Sequence, residues 1–288
     1  MSKLNYRSIF ISDVHLGTRD CHAAYLLDFL QSTDCEHLYL VGDIFDLWSM
    51  RKQVHWTAEQ SAVVQCIFDK AAAGTEVTFI PGNHDALLRD FVGTTFRGVK
   101  VRRDAIHTAA DGRRFLVSHG DEFDTVVKHN ALLRFIGDNV YYWLLRLNRW
   151  YNGLGCRLGI RYWSLATWLK SRVGNARAYI RKFEEAAALT ANDQELDGYI
   201  CGHIHKASIE KINGALYCND GDWVEHCTAL VEDDAGWLQL LHWSDHQRVE
   251  LITQGQEVAP AGIPPGSPAL ALLMQQYEIE VSSAKEAA

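Results

Sequence analysis

The sequence predicts a layered α/β fold, and three observations lead to it. Short apolar runs alternate with helix-patterned stretches through the first half of the chain, as in a largely parallel sheet covered by helices. Each apolar run stops abruptly in polar, metal-ligating residues. The 288-residue chain is also long enough to bury roughly 75% of its unfolded surface, so it needs no disulfide or structural ion to hold a core.

The elements follow in order. Residues 7–12 (RSIFIS) read as the first strand, cut off by Asp13. Ala23, Leu26, Leu27 and Leu30 then recur at helical spacing. Residues 37–41 (HLYLV) form a second strand, stopped by Gly42 and Asp43. Thr57 and Gln60 make a capping-box pair ahead of Val63, Val64, Ile67 and Ala71 on one helical face, with Gly74 as the stop. Glu76–Ile80 is a third strand, broken by Pro81 and Gly82. Arg114–Val117 is a fourth, ending at Ser118 and His119, and residues 199–201 are a fifth, ending at Gly202 and His203.

Composition narrows the classes. With 48% hydrophobic and 22% charged residues, the balance is that of an ordinary globular protein. No apolar run reaches the roughly 18 residues of a spanning helix, and residues 1–10 lack the basic and then apolar pattern of a signal peptide. The seven cysteines (Cys21, Cys35, Cys66, Cys156, Cys201, Cys218, Cys227) are scattered without a Cys-x-x-Cys pair, as expected of reduced core cysteines in the cytoplasm.

Charge is unevenly spread. Residues 128–182 hold eleven Lys and Arg against one acid, Asp138, a formal +10. The rest of the chain holds 17 basic and 35 acidic residues. The same segment carries Trp143, Trp150, Trp163 and Trp168 with five tyrosines, and it reads as a helical insertion between two core strands. After Gln254, four of the five prolines crowd together before a short helix-patterned stretch at 269–277, which reads as a linker and tail.

The strand ends share one chemistry. They present Asp13-Val14-His15, Gly42-Asp43-Ile44-Phe45-Asp46, Gly82-Asn83-His84-Asp85, His119-Gly120-Asp121 and Gly202-His203-Ile204-His205. Open α/β sheets bind ligands at the carboxyl ends of their strands. On an extended backbone, residues two apart point the same way, so Asp13 with His15 and His203 with His205 would each face one site. The glycines at 42, 82, 120 and 202 would let the chain turn sharply beside it. Any one of these motifs alone is more often a turn or a surface loop than a site. All five in this order, each behind an apolar run, point to a metal centre. Mixed oxygen and imidazole donors suit Mn²⁺, Fe²⁺, Co²⁺ or Zn²⁺ better than Mg²⁺ or Ca²⁺.

This set resembles the calcineurin-like metallophosphoesterase superfamily over residues 9 to 230 or so. The resemblance implies a four-layer α/β/β/α sandwich and two divalent ions, expected to be Mn²⁺. The first ion would take Asp13, His15, Asp43 and His205, and the second Asp43, Asn83, His119 and His203, with Asp43 bridging. It implies attack on phosphorus by a metal-bridging hydroxide, with His84 outside the metals, oriented by Asp46. Asp85 and Asp121 would support the site from behind or simply cap loops. In domain terms, residues 1–254 would be the catalytic domain, with 128–190 an inserted basic aromatic cap and 255–288 a Pro-rich tail.

Three roles fit the insertion: a packed helical hairpin, a nucleic-acid surface, or an amphipathic cap that holds an acyl chain against an anionic membrane. The third fits YYWLLRL (141–147) and YWSLATWL (162–169), each flanked by arginine, and nucleic acid is the disfavoured partner. Within the superfamily, residues 11–17 (ISDVHLG), 40–48 (LVGDIFDLW), 117–121 (VSHGD) and 201–205 (CGHIH) resemble the UDP-2,3-diacylglucosamine pyrophosphatase group. That resemblance implies a lipid-linked diphosphate substrate, UMP as a product, and a cytoplasmic enzyme peripheral to the inner membrane. One position departs: the group typically carries arginine where this chain has His84. A paralogue acting on another phosphodiester or diphosphate is therefore an alternative. A non-catalytic binding protein on the same fold is a second, and the intact ligand set argues against it.

Overall fold

The computed structural model describes residues 3–124, 174–244 and 248–253. Strand β1 (Leu4–Ile11) leads to helix α1 (Ala23–Ser32), which runs straight into β2 (Thr33–Val41). The Thr33 hydroxyl donates to the Phe29 carbonyl at 2.8 Å and so satisfies the last turn of α1. A one-turn α2 (Leu47–Met50) and a long α3 (Ala58–Ala72) precede β3 (Glu76–Ile80). Short strands β4 (Thr95–Phe96), β5 (Val99–Val101) and β6 (Ala105–Thr108) lead to β7 (Arg114–Val117). Helix α4 (Gly174–Asp193) is followed by β8 (Gly198–Cys201), β9 (Ser208–Ile212), β10 (Ala215–Asn219), β11 (Thr228–Glu232), β12 (Leu238–Ser244) and β13 (Arg248–Thr253).

Two sheets result. The larger has the order β13-β12-β11-β1-β2-β3-β5-β4, and β1, β2, β3 and β5 run parallel. The smaller has the order β6-β7-β8-β10-β9, with β7, β8 and β10 parallel. Side-chain alternation sorts the core into three seams. Ile9, Ile11, Leu38 and Leu40 face α1 and α3, meeting Leu26, Phe29, Val63 and Ile67. Their neighbours Phe10, Tyr39 and Val41 face the second sheet and meet Phe115, Val117, Ile200 and Leu216. The far side of that sheet, Leu116, Tyr199, Cys201 and Tyr217, packs on Phe183, Ala187, Ala188 and Ala191 of α4. The four-layer α/β/β/α order is the one expected.

Helix α4 corrects the expected boundary of the insertion. From Phe183 onward the stretch 128–190 is the outer helical layer of the core rather than a cap. Residues 128–173 and the tail 255–288 lie outside the described residues.

The capping box at α3 forms only by half. Thr57 accepts from the Gln60 amide at 3.3 Å. The Gln60 side chain turns instead to the Gly17 amide (3.0 Å) and the Thr18 carbonyl (2.9 Å), tying α3 to the loop behind β1.

Candidate metal centre

β1, β2 and β3 in one sheet and β7 and β8 in the other end at the same edge, and the polar residues that follow them converge there. His205 Nε2 lies 3.0 Å from Asp13 Oδ1, and His15 Nε2 lies 3.9 Å from Asp13 Oδ1 and 4.0 Å from Asp43 Oδ2. His119 Nε2 lies 3.4 Å from Asp43 Oδ2 and 3.2 Å from Asn83 Oδ1. Donors sharing a tetrahedral ion through bonds of about 2.1 Å stand about 3.4 Å apart, so these spacings fit. Asp13 Oδ1 and His15 Nε2 are buried without a hydrogen bond, aimed at the same space. Buried polar atoms are rarely left so without a partner to come.

Hydrogen bonds fix which nitrogen His119, His15 and His203 offer. A carboxylate or carbonyl oxygen can only accept, so the nitrogen facing it carries the proton. His119 Nδ1 donates to the Val41 carbonyl at 2.9 Å, leaving Nε2 as the donor atom toward Asp43. His15 Nδ1 stands 3.3 Å from Asp46 Oδ2, again leaving Nε2. His205 Nδ1 faces Asp222 Oδ2 at 3.8 Å. His203 is the reverse case: its Nε2 lies 2.8 Å from Asp124 Oδ1, so Nδ1 is its free lone pair. Its ring sits 5.1 Å from that of His119, centroid to centroid.

Asp46 stands between two rings, with His84 Nδ1 at 3.1 Å from its Oδ1 and His15 Nδ1 at 3.3 Å from its Oδ2. It caps α2 as well, accepting from the Ser49 amide and hydroxyl at 2.8 and 2.9 Å. His84 Nε2 lies 4.0 Å from Asp43 Oδ2, at the more open side of the cluster. The Trp48 ring rests 4.3 Å from that of His84, with nearly half its surface exposed.

Electrostatics follow from burial. Burial pushes the Asp13 and Asp43 carboxyls up, but His205 beside Asp13 and His119 beside Asp43 outweigh it and hold both below the usual range. Burial also works against charge on both rings, yet Asp43 raises His119 and Asp46 with Asp43 raises His15. Ser12 Oγ lies 2.5 Å from both Asp13 Oδ2 and Asp220 Oδ1. One hydroxyl has one proton to give, so one of these carboxyls must supply another. Burial raises Asp220 far above its ordinary value.

The backbone brings the donors together by a different route from the expected one. Asp13 (φ 50°), His15 (φ 53°), Asp43 (φ 53°), His203 (φ 69°) and His205 (φ 53°) are all left-handed, not extended. Each costs about 1–2 kcal/mol by sterics, and such strain gathers at functional sites. Gly82 and Gly202 also serve differently from expectation: they make room. A Cβ at Gly82 would strike the Asp43 carboxylate, and one at Gly202 would strike Ser12 and Asp13. Asp85 proves to be a loop carboxylate. It accepts from the amides of Gly82 (2.6 Å), Ile44 (2.9 Å) and Phe45 (3.2 Å), and burial with Asp43 nearby pushes it up to about 6. Asp121 pairs with Arg89 at 2.7 Å. Asp124, Asp220 and Asp222 escaped the sequence reading. Asp220 and Asp222, just past Asn219 at the end of β10, make a sixth polar strand end.

A double-sheet sandwich with oxygen and imidazole donors at the strand ends defines the metallophosphoesterase class. The family model for calcineurin-like phosphoesterase matches residues 6–207, and the chain belongs to that family; it is a metal-dependent phosphoesterase. It is 26% identical over 255 residues to a UDP-2,3-diacylglucosamine hydrolase of Porphyromonas gingivalis, covering 78% of this chain and 93% of that one. It is 28% identical over 244 residues to the enzyme of the same name from Azotobacter vinelandii, covering 80% and 96%. Among solved structures, the phosphoesterase Yfce of E. coli aligns with 85% of this chain and 98% of its own, at 12% identity and a TM-score of 0.42.

Proposed function

We propose that the protein hydrolyses the pyrophosphate of UDP-2,3-diacylglucosamine to UMP and the lipid monophosphate. The observation that carries the reaction class is the convergence of Asp13, His15, Asp43, Asn83, His119, His203 and His205 at one sheet edge, with the second nitrogen of each imidazole facing an oxygen acceptor. The first ion would take Asp13, His15, Asp43 and His205; the second, Asp43, Asn83, His119 and His203. Mn²⁺ suits this donor set, with Fe²⁺, Co²⁺ and Zn²⁺ as alternatives. Two such ions acidify a bound water and clamp the oxygens of an in-line displacement.

The chain's own residues do the rest. Asp13 and Asp43 stay ionised and bring the only two carboxylates of the donor set, so a dianionic diphosphate would meet net positive charge once two dications are held. His84, steadied by Asp46 through Nδ1, presents Nε2 to the substrate and hands a proton to the leaving oxygen or steadies the transferring phosphoryl group. Trp48 offers an open aromatic face beside it. The names of the relatives and the basic aromatic composition of residues 128–182 support the lipid-linked substrate. They also support work at the cytoplasmic face of an anionic membrane, where each Lys or Arg contributes about 1 kcal/mol. Among the described residues, no helix is long and apolar enough to cross a membrane.

His84 favours a second reading. Arginine at this position would clamp phosphate oxygens in a bidentate fork; histidine does not. A paralogue acting on another phosphodiester or diphosphate follows from that difference. The test uses metal-stripped protein reloaded with Mn²⁺ and offered UDP-2,3-diacylglucosamine beside an aryl phosphodiester, with UMP followed by mass spectrometry. UMP release well ahead of diester cleavage supports the first reading. Diester cleavage without UMP discards it in favour of the second.

A further inference from the structure

Asp124 stands just behind the centre, at the point where the chain leaves the second sheet. Its Oδ1 is 2.8 Å from His203 Nε2 and accepts at 2.8 Å from the Tyr179 hydroxyl. Tyr179 belongs to α4, thus to the helix by which the chain returns from residues 125–173. The same helix supplies Phe183, fully buried, whose ring lies 6.0 Å from that of His203. His203 is therefore held from one side by a carboxylate and from another by an aromatic ring, and both supports are anchored on α4.

We infer that Asp124 is a positioning residue that sets the ring of His203 with Nδ1 toward the second ion, and that Tyr179 locks Asp124 in place. The inference rests on the two-ion reading above. A carboxylate accepts, so Nε2 of His203 carries the proton and Nδ1 keeps its lone pair. Without Asp124 the ring is free to flip and to protonate at either nitrogen. Outer partners of this kind typically change metal affinity 10- to 100-fold. Asp124 Oδ1 is engaged by both His203 and Tyr179.

Asp124 lies four residues before the basic aromatic segment 128–182 and Tyr179 near its end, and the two meet through their hydrogen bond.

The test is Mn²⁺ titration calorimetry on the metal-stripped full chain, with melting of the metal-free protein as a control. Parent protein is expected to take up two ions. Asp124→Ala should weaken the second by roughly 10- to 100-fold and leave the first and the melting temperature as they were. Tyr179→Phe should weaken the same ion by a smaller factor. Asp124→Asn, which keeps an amide oxygen for both donors, should recover most of the affinity. Parent-like binding of both ions in Asp124→Ala would overturn the inference. So would equal weakening of both ions together with a lower melting temperature, which marks a purely structural role. Fewer than two ions on the parent chain would overturn the two-ion reading itself.

Discussion

At Asp46 a single carboxylate faces His15 and His84 and also caps a turn of helix, so the outer edge of the centre depends on one side chain. His15 and His84 nonetheless differ in task. His15 Nε2 points into the donor cluster, whereas His84 Nε2 faces its open side. His84→Ala should therefore lower kcat by about 10²- to 10⁴-fold while both ions still bind, as general-acid removal does. Steady-state kinetics with metal analysis checks this, and an unchanged kcat would remove His84 from the chemistry. The residues that converge at the sheet edge were legible as a group, because Asp, Asn and His behind apolar strands have few other reasons to recur. Their left-handed backbone was not: it is imposed by the crossing loops, and Asp and His tolerate it without a signature in the sequence. Asp124 and Asp222 stayed hidden because their partners, His203 and His205, lie 79 and 17 positions away in the chain and meet them only in the fold.

Among the elements, strands β1, β2, β3 and β7 were legible from short apolar runs, and β9 with β10 should have been. Asn213-Gly214 between them is a two-residue hairpin signal, and both residues take positive φ (50° and 94°). What the sequence could not show is the order of strands, in which β11 returns to lie against β1. That pairing is secured by Glu232 at the end of β11. Its fully buried carboxylate accepts from Arg7 (3.0 Å), Ser8 (2.6 Å) and the Ala110 amide (2.8 Å), and lies 2.8 Å from His107 on β6. It thus ties β1, β6 and β11 across both sheets. Glu232→Ala should cost about 3–5 kcal/mol, since it leaves Arg7 and His107 without their partner; denaturant unfolding measures it. Burial opposes the charge on Glu232, but His107, Ser8 and the Ala110 amide bring its pKa down to about 2, against 4.5 unfolded. Its contribution is therefore complete above pH 4.5 and is lost as pH falls toward 2. Melting temperature should drop across that window, and Glu232→Gln should flatten the drop; an unchanged slope would place the acid sensitivity elsewhere.

On the scale of the whole molecule, the chain separates its charge. Residues 128–182 carry +10 on a protein whose net charge is −8. The sequence marks this segment by composition alone, and only its last part, on α4, lies within the described residues. A cap that encloses acyl chains predicts that replacing Trp143 and Trp163 with Ser impairs acylated substrates far more than a small chromogenic diester. Equal loss on both would assign these rings to packing instead. The account as a whole rests on Asp43, the one residue shared by both proposed ions, 3.4 Å from His119 and 4.0 Å from His15. The most direct measurement is metal content and aryl phosphodiester turnover of parent and Asp43→Ala, both stripped and reloaded with Mn²⁺. Two ions and turnover on the parent, with neither on the variant, is the predicted result. Turnover retained by Asp43→Ala would contradict it.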